Sequence, residues 1–157
     1  IYPYEVVADV GCGPGYFSIP LGKYVFSGKV YAIDIQQEML DATKIEMDRI
    51  HLTNIEMVLS KKDRIPLEDD TVDGVFAAFV VHQVDDAKSF LEETARCLRT
   101  GGWLAVLEWH KREMDQGPPV KERIDETELR EIATNVGFRF SNRYILNENQ
   151  YLLLMRT

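Results

Sequence analysis

An apolar segment, Val6–Val10, runs directly into Gly11-Cys12-Gly13-Pro14-Gly15, and this junction constrains the fold more than any other stretch. Three glycines spaced by two let the backbone reverse tightly and let a bulky ligand lie against it without meeting a Cβ. Pro20 lacks an N–H. The helix that follows the turn therefore either begins late enough for that group to be an orphan anyway, or bends there. In both cases a helix N-terminus faces whatever the turn holds.

Further short apolar runs, Val30–Ile35, Ile55–Leu59, Val72–Val81 and Trp103–Trp109, alternate with segments of helical period. Continuous runs suit strands buried on both faces, and their alternation with helices predicts a doubly wound α/β fold of Rossmann-like type. The expected sheet is mostly parallel and seven-stranded. A C-terminal antiparallel hairpin closes it, formed by Phe138–Leu146 and Tyr151–Met155 around Asn147–Gln150. Met39, Thr43, Met47 and Ile50 share one helical face, and Phe90, Leu91, Thr94, Ala95 and Leu98 form a second stripe, expected to end at Gly101-Gly102. A third helix is marked by Asp125 as its cap, Glu128 three residues on, an inner face of Leu129, Ile132, Ala133 and Val136, and Gly137 as its stop. Met114–Val120, with Gly117-Pro118-Pro119, reads as a surface crossing. One domain over residues 1–157 is expected from this length.

The formal net charge of −8 is uneven: residues 1–110 carry 10 basic and 18 acidic side chains, the remainder 8 of each. Nucleic-acid binding depends on Lys and Arg neutralising phosphates, so this balance disfavours such a partner. Cys12 and Cys97, the only cysteines, have no spacing suited to zinc or to a disulfide framework. No metal site is expected, and a reducing, cytoplasmic setting fits. No apolar run approaches the roughly 18 residues of a membrane span, so the chain reads as soluble. It opens at Ile1, almost on the first strand, which reads as a processed or trimmed form.

Asp34 ends the second strand about 20 residues beyond the glycines, where a carboxylate can accept hydrogen bonds from both ribose hydroxyls of an adenosine. The alternative is a cap for the helix from Gln36 onward. A nicotinamide fingerprint would put a glycine where Tyr16 stands, and no Gly-Lys-Ser/Thr of a triphosphate-binding loop is present. Asp9, two residues before the first glycine, instead suits an ammonium or sulfonium ligand.

The run Asp9-Val10-Gly11-Cys12-Gly13-Pro14-Gly15 resembles the first signature of class I S-adenosylmethionine-dependent methyltransferases, and later segments follow in that family's order. Tyr31–Ile35, Ile65-Pro66-Leu67, Thr71–Val75, Val80–Val84 and Cys97–Gly102 continue the resemblance, most closely to the small-molecule branch that includes ubiquinone and menaquinone C-methyltransferases. The resemblance implies S-adenosylmethionine as cofactor and a small-molecule methyl acceptor. It also implies cofactor-binding roles for Asp9, Gly11, Cys12, Gly13, Gly15, Asp34, Ile35, Lys61, Lys62, Asp63, Ala78 and Phe79. Lys61 departs from the family's adenine-binding aspartate, a role that Asp63 or backbone groups could take over; Thr100 and Gln83 replace a proline and a second histidine. His82 and His110 are the candidate catalytic residues, each with a second reading: His82 as a surface or capping histidine, His110 as a solvated loop residue. Glu108 lies near the same edge. Two other functions remain open at this point: a nicotinamide-dependent oxidoreductase, and a noncatalytic cofactor-binding or partner-binding module. Relatives often fold residues preceding the first strand over the substrate, so the pocket here would be open or completed by another subunit, as in a homo-oligomer.

Overall fold

The computed structural model describes residues 1–157. Seven strands form one sheet: β1 Val6–Val10, β2 Lys29–Asp34, β3 Ile55–Leu59, β4 Val72–Ala78, β5 Leu98–Trp109, β6 Arg139–Ile145 and β7 Gln150–Arg156. Their order is β3-β2-β1-β4-β5-β7-β6. The first five pair in parallel, while β7 runs antiparallel to both β5 and β6. Of the predicted hairpin, then, only β7 reverses direction, and it inserts between β5 and β6. The order turns back on itself between β1 and β4, and ligands of open α/β sheets sit beyond the carboxyl ends of the strands at such a reversal.

Four helices cover the sheet: α1 Ser18–Tyr24, α2 Gln37–Arg49, α3 Ala87–Cys97 and α4 Glu126–Val136. Pro20 occupies the first turn of α1, where its missing N–H has no intrahelical partner to lose. Helices α1 and α2 pack Ile19, Leu40 and Met47 on one face of the sheet, against Val7, Val30 and Ala32. On the other face α3 and α4 seat Leu91, Leu129 and Ala133 against Val75, Leu104 and Val106. The capping signals of α4 act as expected, since Asp125 accepts from the Thr127 N–H at 2.8 Å and Gly137 closes the helix at φ +112°. Gly101-Gly102 does not end α3, contrary to expectation. The helix stops at Cys97, Leu98 is already extended, and the glycine pair lies within β5. Gly74 in β4 leaves the space that the Trp103 indole fills: a Cβ there would stand 2.0 Å from the ring. No helix is long and apolar enough to cross a membrane.

Leu104→Ala, at a site with 0 % exposure, should lower the unfolding free energy by about 2–5 kcal/mol in urea titrations. Ile45→Ala, on the outer face of α2, should change it by less than about 0.5 kcal/mol.

Candidate functional site

The β1 exit folds back onto β2, with the N–H groups of Gly11 and Cys12 both donating to the Ile33 carbonyl at 2.8 and 3.0 Å. All three glycines of the turn have positive φ, but only one faces open space. A Cβ on Gly11 would stand 2.3 Å from Val80, and one on Gly15 would stand 2.8 Å from Thr43, whereas nothing lies within 4 Å of that position on Gly13. Two glycines therefore let the protein close on itself, and the third leaves room for a ligand. Thr43 holds the turn from α2, its hydroxyl donating to the Gly13 carbonyl at 3.1 Å.

Asp34 is buried at the end of β2. One carboxylate oxygen accepts from the Gly13 N–H and the other from the Gln36 N–H, each at 2.9 Å. The turn-fixing role and a ligand-binding role are thus compatible, because each oxygen retains a further acceptor site. Beside it opens a cleft of about 710 Å³. Gly11, Gly13, Asp34, Ile35, Lys61, Lys62, Asp63, Ala78 and Phe79 all line it. So do Val80, Gln83 and Phe90, which sequence reasoning did not assign to the cofactor, although Val80 and Gln83 fall inside a segment already singled out. Phe79 has φ +60°, a strained value for a bulky residue and one that concentrates at functional sites.

Five expected site residues lie elsewhere. Asp9 is 1 % exposed behind the turn, where it accepts from the Ser18 hydroxyl at 2.5 Å and anchors the start of α1. Burial pushes its carboxyl up to about 7, with the charge of Asp34 adding and the Ser18 hydrogen bond opposing. It anchors the start of α1 and does not line the cleft. Cys12 is also buried, with its thiol on the Gly13 carbonyl at 3.4 Å, and burial first, then the charges of Asp9 and Asp34, raise it to about 12. Gly15 is spent on the Thr43 contact. His82 lies behind the cleft wall, its Nδ1 2.7 Å from Glu108 Oε2 and its N–H donating to Glu108 Oε1 at 3.2 Å. The carboxylate accepts, so Nδ1 carries the hydrogen. The pair joins the exit of β4 to the end of β5. His110 borders a separate hollow of about 460 Å³, with Lys111, Arg112 and Asp125. Its ring packs on Tyr151, and burial holds its pKa below the usual value.

Sequence reasoning also passed over Arg123, which is 3 % exposed. Its guanidinium donates to the carbonyls of Pro118, His110, Arg112 and Gln116 at 2.7–3.1 Å. A lone arginine between a Gly-Pro-Pro loop and a helix cap was the available signal.

A glycine turn with a following acidic residue, at the reversal point of a doubly wound sheet, defines a nucleoside-type ligand site. Comparison with known proteins narrows the class: residues 8–106 match the family model described as a methyltransferase domain, and the chain belongs to that family. It is 31% identical over 109 residues to a demethylmenaquinone methyltransferase of Bacillus mycoides, covering 69% of this chain and 46% of that protein. The corresponding protein of Oceanobacillus iheyensis is 32% identical over 105 residues, covering 66% and 44%. The chain thus spans somewhat less than half the length of these curated relatives. A SAM-dependent methyltransferase from Aquifex aeolicus superposes with a TM-score of 0.91 at 35% identity, covering 97% of this chain and 81% of that one. The [4+2]-cyclase SpnF superposes at 0.88 with 16% identity, covering 100% and 76%, a likeness of fold alone.

Asp9 gives the site a pH signature. Its folded-state pKa of about 7 lies above the ordinary aspartate value of 3.8, so the folded protein holds this proton more tightly than the unfolded chain. The associated stability is fully present below about pH 4 and is lost as pH rises through about 7, a difference on the order of 4 kcal/mol. Asp9→Asn should remove that part of the slope, which urea unfolding of both proteins between pH 4 and 8 would measure.

Proposed function

We propose that this chain is the cofactor-binding and catalytic domain of an S-adenosylmethionine-dependent methyltransferase acting on a small-molecule acceptor. The observation that carries the reading is the Gly13–Asp34 pair. Gly13 is open where a ligand would lie, its N–H is held by the Asp34 carboxylate, and both border the same cleft. In this reading Gly11 and Gly13 present backbone to the methionine end, and Asp34 accepts from the ribose hydroxyls. Ile35, 47 % exposed at the cleft rim, packs on the adenine, with Lys62, Asp63 and Ala78 around it. The match of the residues to the cofactor rests on chemistry as well as shape: a carboxylate accepts two hydroxyl hydrogens, and a missing Cβ admits the chain.

When bound, the cofactor would supply an activated methyl group on a sulfonium. The protein's own contribution is alignment and exclusion of water. No side chain has to activate the methyl donor, which agrees with the placement of His82 and His110 outside the cleft. We read residues 1–157 as one domain.

Calorimetry should give a dissociation constant for S-adenosylhomocysteine far below that for NAD; equal or tighter NAD binding would overturn the reading. Asp34→Ala should weaken S-adenosylhomocysteine about tenfold or more, because hydrogen bonds to a charged group contribute about 1.5–3 kcal/mol each. Asp63→Asn should weaken it more than Lys61→Ala, since an ammonium has no acceptor for the adenine amino hydrogens. A large loss for Lys61→Ala alone would show that another group holds the adenine.

A further inference from the structure

The chain between β3 and β4, residues 60–71, contains no helix, yet it supplies one wall of the cleft. Its first part is a tight turn, in which Lys61 and Arg64 form an antiparallel bridge and Lys61, Lys62, Asp63 and Arg64 all line the cleft. The turn is pinned at both ends. At one end the Ser60 N–H donates to the Asp34 carbonyl at 2.9 Å, so the turn starts from the residue assigned to the ribose. At the other end stands Ile65, which is 5 % exposed and also lines the cleft.

Ile65 is gripped by a single ion pair of α3. Its N–H donates to Glu93 Oε2 at 3.1 Å, and its carbonyl accepts from Arg96 Nη2 at 2.8 Å. Arg96 in turn commits every donor it has. Nε and Nη2 reach the two Glu93 oxygens, each at 2.9 Å, while Nη1 reaches the Leu67 carbonyl and Asp69 Oδ1, each at 2.8 Å. Together with the Ile65 bond, these account for all the N–H groups of a guanidinium. A planar fork used in full fixes its own plane and therefore the path of the chain it holds. The Arg96 main-chain carbonyl adds another tie, accepting from the N–H of Asp70 at 3.1 Å, where φ is +52°. Glu93 borders the cleft as well, but both its oxygens are committed to Ile65 and Arg96. The Arg96 hydrogen bonds hold its carboxyl below the usual range, so the pair is ionised at neutral pH. The Arg96 side chain is 23 % exposed, and ion pairs near the surface contribute little to overall stability. What this pair fixes is the chain beside the ligand.

We propose that Glu93 and Arg96 are positioning residues for nucleobase recognition: by holding both polar groups of Ile65, they place the turn of residues 61–64 where it accepts from the amino edge of adenine and rejects a keto base. The proposal rests on the cofactor reading above, which puts adenine at this wall. It adds how a chain with Lys61 at this turn can discriminate between bases. An amino group donates and a keto oxygen only accepts, so a turn that offers Asp63 and main-chain carbonyls pairs with the first and leaves the second unpaired. The direction of those acceptors is imposed from α3.

Two probes differ only at that edge, S-adenosylhomocysteine and S-inosylhomocysteine, and calorimetry compares them. The wild type should prefer the adenosyl compound by about tenfold or more, the scale of one hydrogen bond exchanged for an unpaired polar group. Arg96→Met should reduce the preference to about twofold. Arg96→Lys, which keeps the charge with fewer donors, should be intermediate, as should Glu93→Gln, which keeps an acceptor for the Ile65 N–H but loses the charged fork. A purely structural weakening would lower both affinities together and leave their ratio unchanged. Arg99→Met breaks the 2.8 Å ion pair with Asp73 at the start of β4 and should not move the ratio. Hydrogen exchange at the Ile65 amide should quicken in Arg96→Met and Glu93→Gln. If Arg96→Met fails to fold, Arg96→Lys and Glu93→Gln carry the same decision. Equal binding of the two probes by the wild type would overturn base recognition at this turn. A preference that survives in the folded variants, a parallel loss of both probes, or unchanged exchange at Ile65 would overturn the positioning role. A wild type that binds neither probe would instead overturn the cofactor reading beneath it.

Discussion

The site depends on one close approach, the crossing of Val80 over Gly11. Residue 80 leaves β4 and residue 11 leaves β1, the two strands that flank the reversal in strand order. A Cβ at Gly11 would lie 2.3 Å from the valine, so any other residue would force the two exits apart. With glycine there, the turn also reaches β2, where the Ile33 carbonyl takes two of its N–H groups and Asp34 takes a third. The exits of β1, β2 and β4 become one rigid body, and the cleft is the space they leave between them. The sheet supplies the direction in which these exits point, but the glycine decides that they can meet.

Besides Asp34, three acidic or basic side chains are nearly or wholly buried, and each is stabilised differently. Asp9 has one hydroxyl partner, which does not offset its desolvation, and its pKa rises to about 7. Glu108 accepts from the His82 backbone and ring and so joins two strands. Arg123 is solvated by four carbonyls of one loop. None is paired with an opposite charge from Lys, Arg, Asp or Glu. Each instead fixes backbone: the start of α1, the exit of β4 and the strap after β5. Buried polar groups of this kind stabilise a particular geometry more than they stabilise the folded state as a whole.

The parts legible in the sequence were those written in local pattern. Apolar runs marked the strands, Asp125 and Gly137 marked α4, and the glycine turn with Asp34 marked the ligand end. Strand order beyond β5 was not legible, because nothing local distinguishes a terminal hairpin that pairs through β7 from one that pairs through β6. Gly101-Gly102 misled for a related reason: glycines serve a strand crossing as readily as a helix stop. Asp9, His82 and His110 were drawn toward the ligand by their chemistry and their nearness to strand ends. Strand alternation turns Asp9 away from the cleft that its neighbour Val10 lines, whereas His82 is held on Glu108 and His110 lies past the end of β5 at a separate hollow. Arg123 escaped notice because its four partners are carbonyls, which leave no trace in residue type.

This last point separates the turn after β1 from the segment that follows β5. The turn after β1 works through backbone N–H groups, missing side chains and one carboxylate, so its demands are few and can be met in many sequences. The [4+2]-cyclase SpnF keeps the fold at 16% identity. A shared fold therefore does not specify a shared reaction. The match to the methyltransferase domain model ends at residue 106, just before Glu108 and Trp109 and well before the strap and Arg123. What lies past that boundary is built from side chains: the Trp109 ring on that of Phe79, Gly117 flat against the indole, and a cation that tolerates only one path of the chain. Such an arrangement is demanding of sequence and indifferent to the cofactor.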